Sequence, residues 1–350
     1  MTVAVVCPNL IGDTVMATPT FRALRAGFPS DRIVAVVRPG VASVLDGGPW
    51  FDGRILFDPR SKDPGRRAGA VVDALRRERV EVVVLLPNSF RSALLAWRSG
   101  AARRVGYARG GRSILLTDRL PAPRDRRGRF LPTPIVDYYL ALARRLGCPV
   151  GSLRTELFTT PADEDAADRA FADLGLPPGA PVVCLNTGGA YGPAKAWPEE
   201  HFAALARRLA VESGVGVLVL CGPAEREAAR SIAAKAGHPR VVSLAGRDLS
   251  LGLSKAAVRR SALLITTDSG PRHFAPAFDV PAITLFGPTH IAWTRTHHPL
   301  SLHLLHPVAC GPCQRPTCPE GHHRCMRDLD PASVYRAAQR FLAPATSLAG

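Results

Sequence analysis

Short apolar, β-branched runs alternate with amphipathic stretches along most of the chain. In the first half, residues 3–7, 33–37 and 81–86 read as strands, and residues 14–26, 67–77 and 89–98 as helices. Strands apolar on both faces, joined by helices at short spacing, predict a parallel sheet covered on both sides. Residues 103–133 interrupt the pattern with Arg, Gly and Pro and read as loops with room for one hairpin. A helix resumes over 134–145. An acidic helix over 163–174 and the run Pro-Pro-Gly-Ala-Pro then mark a boundary. A second alternation follows, with strands at 182–186, 216–221, 241–244, 262–267 and 282–286. Its helices fall at 198–212, 224–236, 251–260 and 269–278.

Two consecutive α/β halves predict two Rossmann-like domains facing each other across a cleft, with ligands outside the carboxyl ends of the strands. The expected division is 1–160 for the first domain, 161–180 for a linker, 181–330 for the second domain and 331–350 for a C-terminal helix and tail. A length of 350 residues, 46% of them hydrophobic, suits this plan and excludes a disordered or collagen-like chain. No apolar run approaches the roughly 18 residues of a membrane span, and residues 1–12 do not read as a signal peptide.

Charge changes the picture. The net charge is +16. Residues 1–150 hold 25 basic and 12 acidic side chains, a net +13, and residues 151–350 hold 20 and 17, a net +3. The excess therefore sits on the first half and implies an anionic partner there.

Four places carry candidate chemistry. Asp13, in Leu10-Ile11-Gly12-Asp13-Thr14, follows the first strand. It reads either as a helix cap or as a general base facing the cleft. The turn from Asn186 through Thr187, Gly188 and Gly189 to Lys195 joins a strand to a helix. It reads either as a plain connection or as backbone amides, hydroxyls and one cation for phosphate. In Thr267-Asp268-Ser269-Gly270-Pro271-Arg272-His273 a strand again ends where a helix is expected to open, with Asp268 or Ser269 as cap or as phosphate ligand. Together these two turns make a diphosphate cradle that needs no metal. Glu225, after another strand, reads as a ribose ligand or a surface residue. Cys310, Cys313, Cys318 and Cys325 form a C-x2-C-x4-C-x6-C cluster enclosing His322 and His323, which suits a structural zinc or a metal cluster.

Five segments carry a resemblance over almost the whole chain: IGDTVMATPTFRALRAGFP (11–29), LLPNSFRSALL (85–95), GPAKAWPEEHFAALARRL (192–209), TDSGPRHFAPAFDVPAITLFGPT (267–289) and CGPCQRPTCPEGHHRCMRDLDP (310–331). The chain resembles the ADP-heptose:lipopolysaccharide heptosyltransferases, GT-B glycosyltransferases, and most of all their heptosyltransferase II branch. The resemblance implies inverting transfer of L-glycero-D-manno-heptose from ADP-heptose to the inner core, on a heptosyl-Kdo2-lipid A acceptor, with no cofactor. Related transferases that differ in acceptor or ADP-sugar are the alternative. It makes Asp13 the base on the acceptor hydroxyl. It places Thr187, Gly188, Lys195, Asp268, Ser269, Gly270 and His273 near the ADP phosphates, His273 in a protonated form, and Glu225 at the ribose. It puts the acceptor on the first domain, with Asn88, Ser89, Arg91, Arg103 and Arg104 as candidates for its carboxylates and phosphates. Because some relatives lack a full set of cysteines, the cluster is expected to be structural.

The resemblance also implies a cytoplasmic enzyme peripheral to the inner membrane, with the 103–129 arginines against anionic headgroups. The rival from another class is a non-catalytic protein holding nucleic acid or a membrane. Nucleic acid recruits interleaved aromatics or a basic recognition helix. Here aromatics are 6%, and Arg124, Arg126, Arg127 and Arg129 share a Pro/Gly loop, so no nucleic-acid partner is expected.

Overall fold

In the computed structural model, which describes residues 1–176, 179–189 and 191–342, twelve strands form two parallel sheets. The first holds β1 (Thr2–Val6), β2 (Arg32–Val37), β3 (Gly53–Leu56), β4 (Val80–Leu85), β5 (Arg103–Tyr107) and β6 (Asp118–Leu120), in the order 3-2-1-4-5-6. The second holds β7 (Val182–Asn186), β8 (Gly216–Leu220), β9 (Val241–Ser243), β10 (Leu263–Thr267), β11 (Ala282–Phe286) and β12 (Ser301–Leu305). Its order, 9-8-7-10-11-12, is the first sheet's order repeated. Both are Rossmann sheets. In each, the order reverses between the first strand and the fourth, and there the connections diverge to opposite faces and leave a crevice at the carboxyl ends. The two switch points are β1/β4 and β7/β10. The central strands form the core: β7, β8, β10 and β11 are buried at every position.

The chain divides into two compact units. One is Met1–Phe158 with Ala292–His297; the other is Thr159–Ile291 with the chain from His298 on. The short return to the first unit carries His297, whose Nε2 lies 3.4 Å from Asp137. The stretch expected as a linker contains the helix Pro161–Asp173, which packs on the helix Leu251–Arg259 of its own unit. Its acidity has a cause there: Glu164 meets Arg259 and Arg260 at 3.0 and 2.6 Å, and Asp163 lies 3.8 Å from the fully buried Lys255. Gly252 admits this approach, since a Cβ would fall 1.7 Å from Asp163 Oδ1. Pro177 and Pro178 of the boundary, and residues 343–350 of the expected tail, lie outside the described residues. The helix before that tail is Pro331–Leu342.

Proline explains where helices depart from expectation. The single helix expected over 14–26 is two, Ile11–Met16 and Thr18–Gly27, with Pro19 in the first turn of the second. The helix expected over 269–278 is a 3-10 turn, Pro271–His273, followed by one α-turn, Phe274–Ala277. Pro276 removes an amide that a continuous helix needs, whereas Pro271 lies in the first turn, where no amide is lost. Strands β3, β5, β6 and β12 escaped the pattern because they are edge or near-edge strands, short and partly exposed. Residues 103–133 contain β5 and β6, and their hairpin is one antiparallel bridge between Arg124 and Phe130. Among the described residues no helix is long and apolar enough to cross a membrane.

Candidate functional site

In the second unit the loops after β7 and β10 are tied together at the switch point. Asn186, the last residue of β7, donates from Nδ2 to Thr266 Oγ1 (3.0 Å), Ser269 Oγ (2.8 Å) and Gly188 O (3.3 Å). The glycines let the loops close: a Cβ on Gly189 would sit 3.1 Å from Ser269 Cβ, and one on Gly188 would collide with Glu225. Glu225 Oε2 accepts the Gly222 amide at 3.0 Å, so this carboxylate is turned inward by its own turn. Asp268 is the hub. Lys195 Nζ donates to its Oδ2 (2.6 Å) and backbone O (2.8 Å), Thr289 Oγ1 donates to the same Oδ2 (2.6 Å), and Arg272 Nε lies 3.4 Å from Oδ1. Burial works to raise the Asp268 carboxyl, but Arg272 and Lys195 outweigh it and hold it below the usual carboxylate range. Two cations on one carboxylate leave the hub with one net positive charge.

Lys195 is thus not the free cation the sequence suggested. It is committed to Asp268, with its ammonium 4.5 Å from the centre of the Tyr191 ring, and keeps one of its three protons for a ligand. His273 is a clearer correction. It is fully enclosed, and burial together with the neighbouring Arg272 pushes it well below the usual histidine range. It is neutral, and a protonated His273 beside a leaving phosphate is withdrawn. Its Nε2 accepts from Arg272 Nε at 3.2 Å, so the ring proton resides on Nδ1. Gly270 adopts αR backbone with no helix of useful length behind it, so the expected helix dipole does not arise. Two buried polar atoms here have no partner among the described residues: Thr187 Oγ1 and His273 Nδ1. Buried polar atoms are nearly always bonded, and these two belong to the turns expected to hold phosphate.

In the first unit, Asp13 is the third residue of the helix Ile11–Met16. The cap position is Leu10, whose side chain makes no cap bond, so the cap reading of Asp13 falls. No donor or cation among the described residues meets its carboxylate, and burial raises it to about 6. An unpaired carboxylate tuned towards neutrality at a switch point is the expected signature of a functional acid or base.

The β1, β2 and β4 carboxyl ends open into a pocket of about 440 Å3 lined by Asn9, Arg38, Phe57, Arg60, Ser89, Arg91 and Ser92 among others. Arg60 and Arg91 have no carboxylate partner among the described residues, and Arg38 reaches Asp58 only at 3.5 Å. Ser89 caps the helix Phe90–Arg98, accepting from Ser92 N at 3.2 Å. Asn88 Oδ1 accepts from Arg112 Nη2 (3.1 Å) and Tyr138 Oη (3.3 Å), which leaves its amide N–H groups for other partners. Arg112 is fully buried and is bound by Tyr107 O, Pro87 O, Ser92 and Asn88, with no carboxylate among its partners. Burial lowers it to about 10. Sequence reasoning missed Arg38, Arg60, Arg112 and Thr289, and placed Asn186 in the turn without foreseeing that it ties the two loops together. Only the strand-end position of Arg38 signalled anything among the four.

Arg103 and Arg104 are corrected. They open β5, at the amino edge of a parallel sheet whose carboxyl edge carries the pocket. Arg103 pairs with Asp118 at 2.9 Å, and Arg104 donates to the Leu115 and Ala101 carbonyls. Both are structural. The metal reading of the cysteines finds no support. Cys310, Cys313, Cys318 and Cys325 line one cavity of about 10 Å3 with His322 and His323, yet no group of three or more His, Cys, Asp or Glu among the described residues is arranged to hold a metal ion.

Residues 68–324 match the family model of glycosyltransferase family 9 (heptosyltransferase). The chain is 26% identical to lipopolysaccharide heptosyltransferase 2 of Salmonella typhimurium, over 98% of this chain and 99% of that one. It is also 26% identical to lipopolysaccharide heptosyltransferase 2 of Escherichia coli, with the same coverage. Among solved structures, E. coli ADP-heptose lps heptosyltransferase II superposes with a TM-score of 0.79 at 24% identity, covering 98% of both chains. E. coli heptosyltransferase WaaC with ADP-2-deoxy-2-fluoro heptose superposes with a TM-score of 0.72 at 20% identity, covering 97% of this chain and 99% of that one.

Proposed function

The chain belongs to glycosyltransferase family 9, and on that premise we propose that it transfers L-glycero-D-manno-heptose from ADP-heptose to the lipopolysaccharide inner core, with a heptosyl-Kdo2-lipid A acceptor. The GT-B fold of two Rossmann sheets fits this chemistry, since each sheet offers one switch point, one for donor and one for acceptor. The observation that carries the residue assignment is the matched pair of incomplete sites. One holds an unpaired carboxylate raised to about 6; the other holds two buried polar atoms without partners.

Asp13 takes the proton from the attacking acceptor hydroxyl. The acceptor oxygen bonds to the anomeric carbon as the bond from that carbon to the β-phosphate oxygen breaks, and configuration inverts. The departing ADP carries the electron pair on phosphate. Its charge is met by the remaining Lys195 proton, the Thr187 hydroxyl, Ser269 and the N–H of His273, donors fixed before reaction and so costing little reorganisation. Glu225 serves the ribose hydroxyls with its second oxygen, and Gly188 and Gly270 admit the ligand to the backbone. On the acceptor side Arg91 and Arg60, with Asn88 and Ser89, receive the acid groups of core sugars.

The enzyme works at the cytoplasmic face of the inner membrane. In the loop after β6, Arg126 and Arg127 are exposed beside Leu131, which is 44% exposed. Cations next to an exposed apolar side chain suit an anionic interface. The deciding experiment measures ADP release from ADP-heptose with Kdo2-lipid A acceptors that carry or lack the first heptose. Release only with the heptose-bearing acceptor supports the reading. Release with the heptose-lacking one reassigns the branch, and no release with either refutes it.

A further inference from the structure

The cysteine segment leaves its own structure to grip the two turns that meet at Asp268. Tyr191 Oη donates to Gln314 O (2.7 Å), and the Ala194 amide donates to Pro316 O (3.0 Å). His323 Nε2 lies 2.7 Å from Ala194 O. A carbonyl only accepts, so His323 carries its proton on Nε2. On the other side the Gln314 amide donates to Pro288 O at 2.8 Å. Two glycines record how close the approach is. A Cβ on Gly192, whose φ is +146°, would lie 2.5 Å from Pro316 O, and one on Gly287 would lie 2.5 Å from Met326 Sδ. The four cysteines fill the space behind these contacts, lining their cavity with Ala194, Gly287 and Pro288.

The two gripped turns have one thing in common. Residues 192–195 end in Lys195 and residues 287–289 end in Thr289. Both side chains bond the same oxygen, Asp268 Oδ2, at 2.6 Å. The first turn has little to hold it by itself: it is glycine-rich, its regular structure is a single 3-10 turn, and Tyr191 is 40% exposed. Unheld, such a loop samples many backbone states, at a cost of about 1–2 kcal/mol per residue when a ligand must order it.

We propose that residues 310–325 are a positioning strap for the donor-phosphate turns, acting through Gln314, Pro316 and His323 to fix Lys195 and Thr289 on Asp268. The strap touches no reacting atom. It presents the cradle already ordered, so donor affinity rises without any new donor contact. This role rests on the donor reading of the second unit, and it gives the cysteine cluster a part other than a metal centre: small side chains, Cys325 buried and the other three half-buried, pack the strap against the turns.

The test uses the full chain with Tyr191→Phe, His323→Ala and His323→Gln. Phe keeps the ring beside Lys195 and removes only the bond to Gln314. Gln restores an N–H donor at similar reach. ADP binding is measured by titration calorimetry, and KM for donor and acceptor by steady-state kinetics. The expected result is an ADP Kd and donor KM raised about three- to tenfold in Tyr191→Phe and His323→Ala, the size of one hydrogen bond. Acceptor KM stays within about twofold, and His323→Gln recovers most of the loss. Unchanged ADP affinity in Tyr191→Phe overturns the proposal, as does an equal rise in donor and acceptor KM. Should His323→Ala fail to fold, Tyr191→Phe decides alone. A wild-type chain that does not bind ADP refutes the donor reading itself, which is a different outcome.

Discussion

Replacing Asp13 by Asn is expected to make the protein more stable and nearly inactive, and the two effects share one cause. Burial raises the carboxyl from 3.8 to about 6, and no donor or cation among the described residues offsets it. A shift of about two units corresponds to up to about 3 kcal/mol of unfavourable energy in the ionised native state. The sign follows from proton counts. Between pH 4 and 6 the unfolded chain has lost this proton and the native one has kept it, so stability falls as pH rises through that window. Asn carries no charge and escapes the penalty. The variant should therefore exceed wild type in unfolding free energy by up to about 3 kcal/mol at pH 8, with the difference vanishing below about pH 4. In the wild type, kcat/KM should rise with pH through about 6 as the base ionises. The variant should lose about 100- to 10,000-fold in transfer, the usual worth of a general base, while binding ADP as before. Thermal or chemical unfolding at several pH values, alongside the transfer assay, gives both readings. Full activity in Asp13→Asn refutes the base. A stability difference that does not change with pH refutes the buried-charge argument even if activity is lost.

Three further outcomes are expected. Lys195→Met leaves Asp268 buried with Arg272 as its only cation, so it should cost on the order of 3 kcal/mol of stability and raise ADP Kd at least about tenfold; calorimetry showing unchanged ADP affinity would exclude Lys195 from the cradle. Arg60→Ala combined with Arg91→Ala should raise acceptor KM about tenfold or more and leave donor KM alone, whereas Arg103→Ala, which removes only an exposed pair with Asp118, should change neither; kinetics with the order reversed would return the acceptor to the β5 edge. Changing Arg126 and Arg127 to Ser should reduce co-sedimentation with anionic vesicles by about 1 kcal/mol per residue, and equal sedimentation would reject the membrane contact at this loop.

How much of this was legible in the sequence depends on what each feature owes to its neighbours along the chain. The central strands were readable because a strand buried on both faces gives an unbroken apolar run, as at residues 3–6, 82–85, 182–185 and 263–265. Edge strands such as Asp118–Leu120 carry a polar residue or two and give no such run. The switch-point residues were readable because Thr187 and Asp268 follow central strands directly and Asp13 lies in the first turn of the helix after one. Their chemical state was not. That His273 is neutral depends on Arg272 and on enclosure, and that Lys195 is already bound depends on Asp268, 73 residues away. Arg103 and Arg104 were misplaced because charge counts do not say which edge of a sheet a residue occupies. Arg60 was missed because only the folded sheet brings its loop beside Ser89 and Arg91.

The two units also handle charge in opposite ways, and this gives the net +16 a more specific meaning. Around Asp268 every full charge has a partner, and only neutral groups, a hydroxyl and an imidazole N–H, are left unsatisfied. Such a site is built before its ligand arrives. It asks the ligand for hydrogen bonds more than for charge, as suits a diphosphate that must depart after transfer. In the first unit, charge itself is left open. Arg112 is buried without a carboxylate partner, Arg60 and Arg91 line a pocket without one, and Asp13 has no cation. Arg112 is enclosed but satisfied by carbonyl and side-chain oxygens, while Arg60 and Arg91 are exposed at the pocket, where their charge costs the fold little and is open to an anionic ligand. The positive excess of residues 1–150 is thus more than a diffuse field drawing anions to a surface. Part of it is unpaired charge gathered at one pocket, which a correctly placed anionic acceptor neutralises, and acceptor binding should stabilise the first unit more than ADP stabilises the second. Thermal shift measurements with each ligand at equal saturation would show the reverse order if the pocket arginines were merely solvated.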